Sequence, residues 1–353
     1  MKAYFIGSGF MGCWYARCYT PMIANGWKGM YHGLSEKSIK PANQVMKEIL
    51  DSDVIVFHRA NTNWHHRVGM IAKEQGKKIV FDNDDTFQLD ESHPFLNLDE
   101  KGFYQNKEKL NNVVNNFILN SDLITTSTPL LAEEYKKINK NTIVLPNYVN
   151  PEDWPDVPQR NEGDKVRIGI VGSTAYQADF FGIKDLIKKL TKDPRVQVVL
   201  FGLHSKQHRK DNPLINKIHW KEYAFWDSLE NVEFVPFCKM ENYFFQLDEL
   251  KLDLMMIPRR HNYFNQCKSN IKFLEASMLE IPVIAEGFDG GPYQELDGKN
   301  GLLATNDWEE KVEMMIKDKD LRRQIGRNAK EYVLKNYNIA DHSHKWLDAY
   351  SKL

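Results

Sequence analysis

Short β-branched and aromatic runs alternate with segments of helical period twice along this chain, and a proline-rich stretch separates the two series. The first series has its runs at 3–6, 53–57, 78–81, 123–126 and 142–145. Strands joined by helix-length connections pair in parallel, because only a crossover of that length can return the chain to the same end of a sheet. Between 147 and 165 the pattern stops at Pro151, Pro155, Pro158, several acids and Gly163, a composition suited to a linker. The second series follows at 166–171, 196–201, 232–235, 252–257 and 282–285. From Asp307 the chain reads as helical and charged on one face, with Trp346, Leu347 and Tyr350 near its end, so the tail needs a surface to dock on. The expectation is α/β: two tandem Rossmann-like doubly wound domains, 1–160 and 161–325, facing a central cleft, with a C-terminal helix, 326–353, crossing back to the first domain.

Composition narrows the function classes. With 353 residues, 42% hydrophobic and 27% charged, the chain is long enough for two cores and excludes disordered and collagen-like classes. No run approaches the ~20 apolar residues that cross a bilayer, so no membrane span is expected. Residues 1–7 run straight into a glycine turn, which reads as a buried first strand and places the protein in the cytoplasm. Cys13, Cys18, Cys238 and Cys267 form no CxxC pair, which favours separately buried, reduced thiols and no metal. Forty-seven basic against 48 acidic side chains exert no global pull toward nucleic acid or anionic lipid, so such a partner would need a local patch.

Doubly wound sheets bind ligands at the carboxyl ends of their strands, and four segments fall there. Gly7-Ser8-Gly9-Phe10-Met11-Gly12 is a literal GxGxxG, open to three readings: a dinucleotide, another ligand approaching the backbone near Gly9, or a structural turn. The dinucleotide fingerprint also wants an acid after the second strand, and residues 29–34 supply none before Glu36. In Phe81-Asp82-Asn83-Asp84-Asp85 three carboxylates crowd a strand end, to be relieved by a divalent metal, by helix amides or by substrate hydroxyls. In 264–276 a helix beginning near Lys268 would stack Lys268, Lys272 and Glu275 in one stripe. Its amides, Ser269 and the two ammonium groups suit a diphosphate, and Glu275 the hydroxyls of a ribose; a solvated lysine face is the alternative. Gly172 and Ser173 make a small-residue turn after the first strand of the second domain.

One further stretch bears on partners. Lys206, Arg209, Lys210, Lys217 and Lys221 stand against Asp211 alone between 204 and 221, followed by Tyr223, Phe225 and Trp226. Interleaved bases and aromatics are what nucleic acid uses, and also what a solvated loop contains.

In their order and spacing these segments resemble GT-B glycosyltransferases close to family 4, in particular a branch found in bacterial and phage genomes. The likeness covers 15–21, 53–59, the strand ending in 82–85, 127–130, 144–149, Gly172-Ser173 with Asp179, 265–275, 291–293 and 298–303. It implies a nucleotide-sugar donor such as UDP-glucose, no other cofactor and no metal, and transfer with retention to an acceptor hydroxyl by an enzyme of the hexosyltransferase class. Glu275 matches the second Glu of the family's EX7E motif, whereas Cys267 stands where the first belongs. The family's Arg and Lys after the first strand of domain two are also missing, so Lys268 and Lys272 substitute for them. The resemblance thus implies Gly9, Gly172, Ser173, Asn265, Lys268, Ser269, Lys272 and Glu275 on the donor, Asp84 and Lys268 at the reaction centre, and Asp82, Asp85 and Arg59 on the acceptor side.

The acceptor is expected to be a surface glycan, with a hydroxymethylated DNA base as the rival suggested by 204–226. A non-catalytic nucleotide-binding protein, suggested by Cys267, and a dehydrogenase built on the GxGxxG are the readings from other classes. The oligomeric state is not legible in the sequence.

Overall fold

The computed structural model describes residues 1–7, 12–31, 42–60, 62–86, 112, 114–173, 176–203, 206–211 and 220–353. Twelve strands among these residues form two six-stranded sheets in which every pairing is parallel. The first contains β1 Ala3–Gly7, β2 Lys28–Tyr31, β3 Val54–His58, β4 Lys78–Asn83, β5 Leu123–Thr126 and β6 Thr142–Val144, in the order β2-β1-β3-β4-β5-β6. The second contains β7 Val166–Val171, β8 Val196–Leu203, β9 Val232–Pro236, β10 Leu254–Ile257, β11 Val283–Glu286 and β12 Leu302–Ala304, in the order β12-β11-β10-β7-β8-β9. Strand order reverses between β1 and β3 in one sheet and between β7 and β10 in the other, which is where open α/β sheets hold ligands.

Burial explains why these segments read as strands. β1 and β3 are buried at every position, as parallel strands covered on both faces must be. Tyr4, Ile6, Ile55 and Phe57 enter one core, while Ala3, Phe5, Val54 and Val56 enter the other. Two edge strands escape the sequence pattern. β2 is broken by Gly29, where a Cβ would sit 2.8 Å from the Phe5 carbonyl oxygen, and β12 is only three residues long.

The tail docks on the first domain, but not as one helix. Helix Lys319–Tyr337 stays on the second domain, with Ala329 and Val333 in the core beside Phe273 and Leu274. Asn338 (ψ 121°) then leaves helical geometry, and its side chain accepts from the Ala340 amide at 3.1 Å to cap a new start. Helices Ile339–His342 and His344–Tyr350 follow, and Ile339, Trp346 and Tyr350 join Phe5, Trp14 and Leu145 in the first domain's core. The helix expected over 326–353 is therefore split by Asn338. The chain's two passages between domains lie side by side: Val149 N donates to Tyr337 O and Ile339 N to Val149 O, each at 2.9 Å.

All four cysteines are free thiols, with Cys18 and Cys267 buried and Cys13 and Cys238 half-buried. Among the described residues, no helix is long and apolar enough to cross a membrane.

Candidate functional site

On the first domain the cleft wall is set by the ends of β3 and β4. Parallel register puts His58 opposite Asp82, so the residues that follow, Arg59 and Asp84-Asp85, emerge together. Arg59 adopts a left-handed backbone (φ 51°), uncommon for a residue with a Cβ; its amide donates to Asp82 O at 2.9 Å. Its guanidinium donates to Asp84 Oδ1 at 2.7 Å and Asp85 Oδ2 at 2.8 Å, and His58 Nε2 lies 3.4 Å from Asp84. Burial alone would favour a neutral Asp84, yet Arg59 and His58 hold its carboxyl well below the usual range. Nearby, burial pushes the Cys13 thiol up to about 12, Arg59 only partly opposing it.

Asp82 does not share this wall. Arg17 donates to both of its oxygens, Nε to Oδ1 at 3.1 Å and Nη2 to Oδ2 at 2.6 Å, Thr125 adds a 2.6 Å hydroxyl bond, and Asp82 is 1% exposed. Asp82, expected on the acceptor side, lies in the interior of the first domain, where three donors already occupy its carboxylate. Arg17 also donates to Asn147 Oδ1 at 3.1 Å and to the Leu145 carbonyl, tying together two segments that the resemblance quotes. The crowded charge at this strand end is relieved by three cations of the chain, Arg17, Arg59 and Lys268. Among the described residues, no three His, Cys, Asp or Glu side chains converge on a metal position.

The second domain supplies the opposite wall through the loop after β10. Asn262 caps a short helix, Tyr263–Gln266, accepting from the Asn265 amide at 2.9 Å; the chain turns through Cys267-Lys268-Ser269 and re-enters helix at Ile271–Met278. Lys268 therefore lies in the loop, one turn short of the helix start expected for it. Lys272 donates to Glu275 Oε2 at 2.8 Å and to the Tyr243 hydroxyl at 2.9 Å, and Tyr243 donates to the same Glu275 oxygen at 2.8 Å. Burial works against the Lys272 charge, but Glu275 and Tyr243 together outweigh it and the lysine's pKa is raised. Asn265 Nδ2 donates to Asp179 Oδ1 at 3.0 Å and Arg260 O at 2.9 Å. Gly172 closes the turn after β7 because a Cβ there would lie 2.9 Å from the Tyr176 ring and 3.0 Å from that of Phe180; Ser173 O accepts from the Tyr176 amide at 3.0 Å. Gly9 lies outside the described residues.

The two walls touch. Lys268 Nζ pairs with Asp85, Asn147 Nδ2 donates to Ser269 Oγ at 2.8 Å, Thr128 Oγ1 to Cys267 O at 3.1 Å, and Tyr263 OH to Glu134 Oε2 at 2.9 Å. Lys268 is further held 4.1 Å from the Phe264 ring. Cys267 is fully buried and its thiol is pushed up to about 12 by burial.

No protein-family model matches the chain. Trehalose synthases of Thermococcus litoralis and Pyrococcus furiosus are each 37% identical over 76 residues, 21% of this chain. The matched region is 18% of their length, so the chain spans about a fifth of the curated relatives it matches. Solved structures align end to end: HepE of Anabaena in complex with UDP-glucose at 15% identity over 100% of both chains, TM-score 0.66. An alpha-glucosyltransferase in complex with UDP aligns at 13% identity over 99% of this chain and 100% of that one, TM-score 0.67. Sucrose-phosphate synthase of Thermosynechococcus elongatus aligns at 15% over 100% and 99%, TM-score 0.65. The fold is GT-B.

Within this GT-B frame Arg59, Asp84, Asp85 and Lys268 meet in one ion-pair network, Lys272 and Glu275 pair beside it on the same domain as Lys268, Asn265 binds Asp179, Ser269 meets Asn147, and Asp82 lies apart on Arg17. The sequence pattern does not point to Arg259 and Arg260, which follow β10 at the second sheet's reversal point and share Asp179, at 3.4 Å and 3.2 Å. The signal that could have found them is their place directly after a buried strand, where a cation is costly unless partnered. The basic stretch fares differently. Arg209 is 5% exposed, pairs with Asp227 at 2.9 Å and stacks 4.2 Å over Tyr223, and Lys206 approaches the same Asp227 at 3.8 Å. Its central arginine is a packing element of the second domain; His204, Lys217 and their neighbours in 204–205 and 212–219 lie outside the described residues.

Proposed function

We propose that this chain is a metal-independent, retaining, family 4-like glycosyltransferase that moves a sugar from a UDP-sugar such as UDP-glucose to a hydroxyl of a glycan acceptor. The observation that carries the reading is the opposition of two walls: Lys268, Lys272, Arg259 and Arg260 at the strand ends of the second domain, and Asp84 and Asp85 at those of the first. HepE with UDP-glucose and the alpha-glucosyltransferase with UDP, structures of the same fold, support the choice of donor.

The cations supply what a departing diphosphate needs. Charge grows on the phosphate as the bond to the anomeric carbon breaks, and ammonium and guanidinium groups fixed in a closed cleft stabilise it without reorganising. Glu275, already an acceptor for Lys272 and Tyr243, is placed to take ribose hydroxyls, and Ser269 lies at the start of the same helix. The acceptor oxygen bonds to the anomeric carbon, the carbon–phosphate oxygen bond breaks, and the acceptor's proton passes to the departing phosphate oxygen. Asp84, kept charged by Arg59, and Asp85 beside it orient the acceptor hydroxyl.

The test is transfer from UDP-glucose to a panel of glycans with EDTA present, read by the anomeric proton resonances of the product. The reading expects an α-linked product and a loss of about 100-fold or more in kcat/KM for Lys268→Ala. A β-linked product contradicts retention, dependence on added divalent metal contradicts metal independence, and the absence of transfer with any donor contradicts the assignment.

A further inference from the structure

Arg259 is a buried guanidinium whose contacts within the protein fall short of its five donors. It is 5% exposed and sits directly after β10, at the reversal of strand order. Nη1 lies 3.4 Å from Asp179 Oδ2 and Nη2 3.3 Å from the Tyr293 hydroxyl, both at the long limit of a hydrogen bond, and Nε has no partner. Asn265, 1% exposed, is in the converse state: its Nδ2 is satisfied, while its Oδ1 accepts nothing. Between them stands Asp179, 4% exposed, whose Oδ1 takes Asn265 Nδ2, the Arg260 amide at 3.1 Å and Arg260 Nε at 3.2 Å. Buried donors and acceptors left in this state are costly, and a pair of opposite kind around one carboxylate matches a ligand carrying both an anion and a hydroxyl.

We infer that Arg259 grips a phosphate of the ligand, that Asn265 Oδ1 accepts from a hydroxyl of the same molecule, and that Asp179 is the positioning residue that sets both. The ligand class is a phosphorylated sugar compound, so the inference rests on the donor reading above and assigns residues to it. The Tyr176 ring lies 4.3 Å over the guanidinium and its amide binds Ser173 O, which places Arg259 beside the turn after β7. That turn has no cation in its own sequence from Gly172 to Ala178. Arg259 supplies the charge from the neighbouring strand. Lys268 and Lys272 also lie within electrostatic reach of Tyr176.

The experiment compares the full-length chain with Arg259→Gln, Arg259→Lys and Asp179→Asn. Affinities for UDP and uridine are measured calorimetrically, with inorganic pyrophosphate as a second probe read by thermal shift. Arg259→Gln is expected to weaken UDP by about 30-fold while changing uridine by less than about 3-fold. Arg259→Lys recovers part of the loss, and Asp179→Asn lowers UDP more than uridine. Where Arg259→Gln fails to fold, the other two variants carry the same comparison. Equal losses for UDP and uridine, or undiminished UDP binding, overturn the inference and leave the donor reading standing. Pyrophosphate binding that depends on Arg259, without binding of any nucleotide, sustains the inference and overturns the donor reading. A wild-type chain that binds neither probe overturns both.

Discussion

Lys268 reaches across to Asp85, so the ammonium proposed to neutralise a donor phosphate is already paired with a carboxylate of the opposite domain. Burial works against the charge on Lys268, and Asp85 raises its pKa regardless. A phosphate entering the cleft competes with Asp85 for the same ammonium, while Asp85 keeps Arg59 as its other partner at 2.8 Å. Asp85→Asn is therefore expected to tighten UDP binding by about 3- to 10-fold, on the order of 1 kcal/mol, as measured by titration calorimetry. Unchanged or weaker binding would show that Asp85 helps to hold the donor.

Asp84 gives a pH signature. Its folded pKa lies below the unfolded value of about 3.9, so its ion pairs stabilise the fold fully above that value and are lost as pH falls through the folded pKa. In that window the unfolded chain binds more protons, and stability falls with acidification. Asp84→Asn removes this dependence, so the stability gap between wild type and variant should shrink between about pH 5 and pH 2 in denaturant titrations. A gap independent of pH would contradict the assignment.

Asp82 and Asp85 are three residues apart but should respond in opposite ways. Removing the buried partner of Arg17 leaves an uncompensated charge, so Asp82→Ala should lose about 3–5 kcal/mol of unfolding free energy. Acceptor KM should be unchanged in the protein that remains folded. A shift in KM without loss of stability would return Asp82 to the acceptor side.

Gly326 tests the packing of the long C-terminal helix. A Cβ at this position would meet the Glu280 carbonyl oxygen at 2.1 Å, and backbone cannot swing aside as a side chain can. Gly326→Ala should cost about 1–3 kcal/mol in chemical denaturation despite alanine's better helix propensity. A stabilised variant would mean that the helix can shift away from the end of helix Ile271–Met278.

Buried parallel strands announce themselves, and ten of the twelve strands among the described residues were legible because short apolar β-branched runs such as 54–57 and 166–171 have few other uses in an α/β fold. The edge strands at Gly29 and Leu302 carry too little apolar sequence to register. At the site, the Lys272–Glu275 spacing was legible, but the place of Lys268 in a loop ahead of the helix and the partners of all three were not. Helical periodicity predicts an unbroken stripe, whereas the Asn262 cap and the turn at Cys267 break it, and Tyr243 comes from a different helix. Asp82 and Asp84 look alike in sequence, and alternation in a strand would give them the same face; β4 ends at Asn83, so Asp82 stays in the strand against Arg17 while Asp84 lies past its end beside Arg59. Arg259 and Asp179 lie 80 residues apart and meet only because β7 and β10 are neighbours.

The most direct test of the central claim is calorimetric titration of UDP-glucose, in the presence of EDTA, into the wild-type chain and Glu275→Gln. The account predicts saturable binding that survives EDTA and weakens by at least about 10-fold in the variant, whose hydroxyl-accepting carboxylate is gone. Binding that is unchanged by Glu275→Gln, or no binding by the folded wild type, would contradict a nucleotide-sugar site at the start of helix Ile271–Met278.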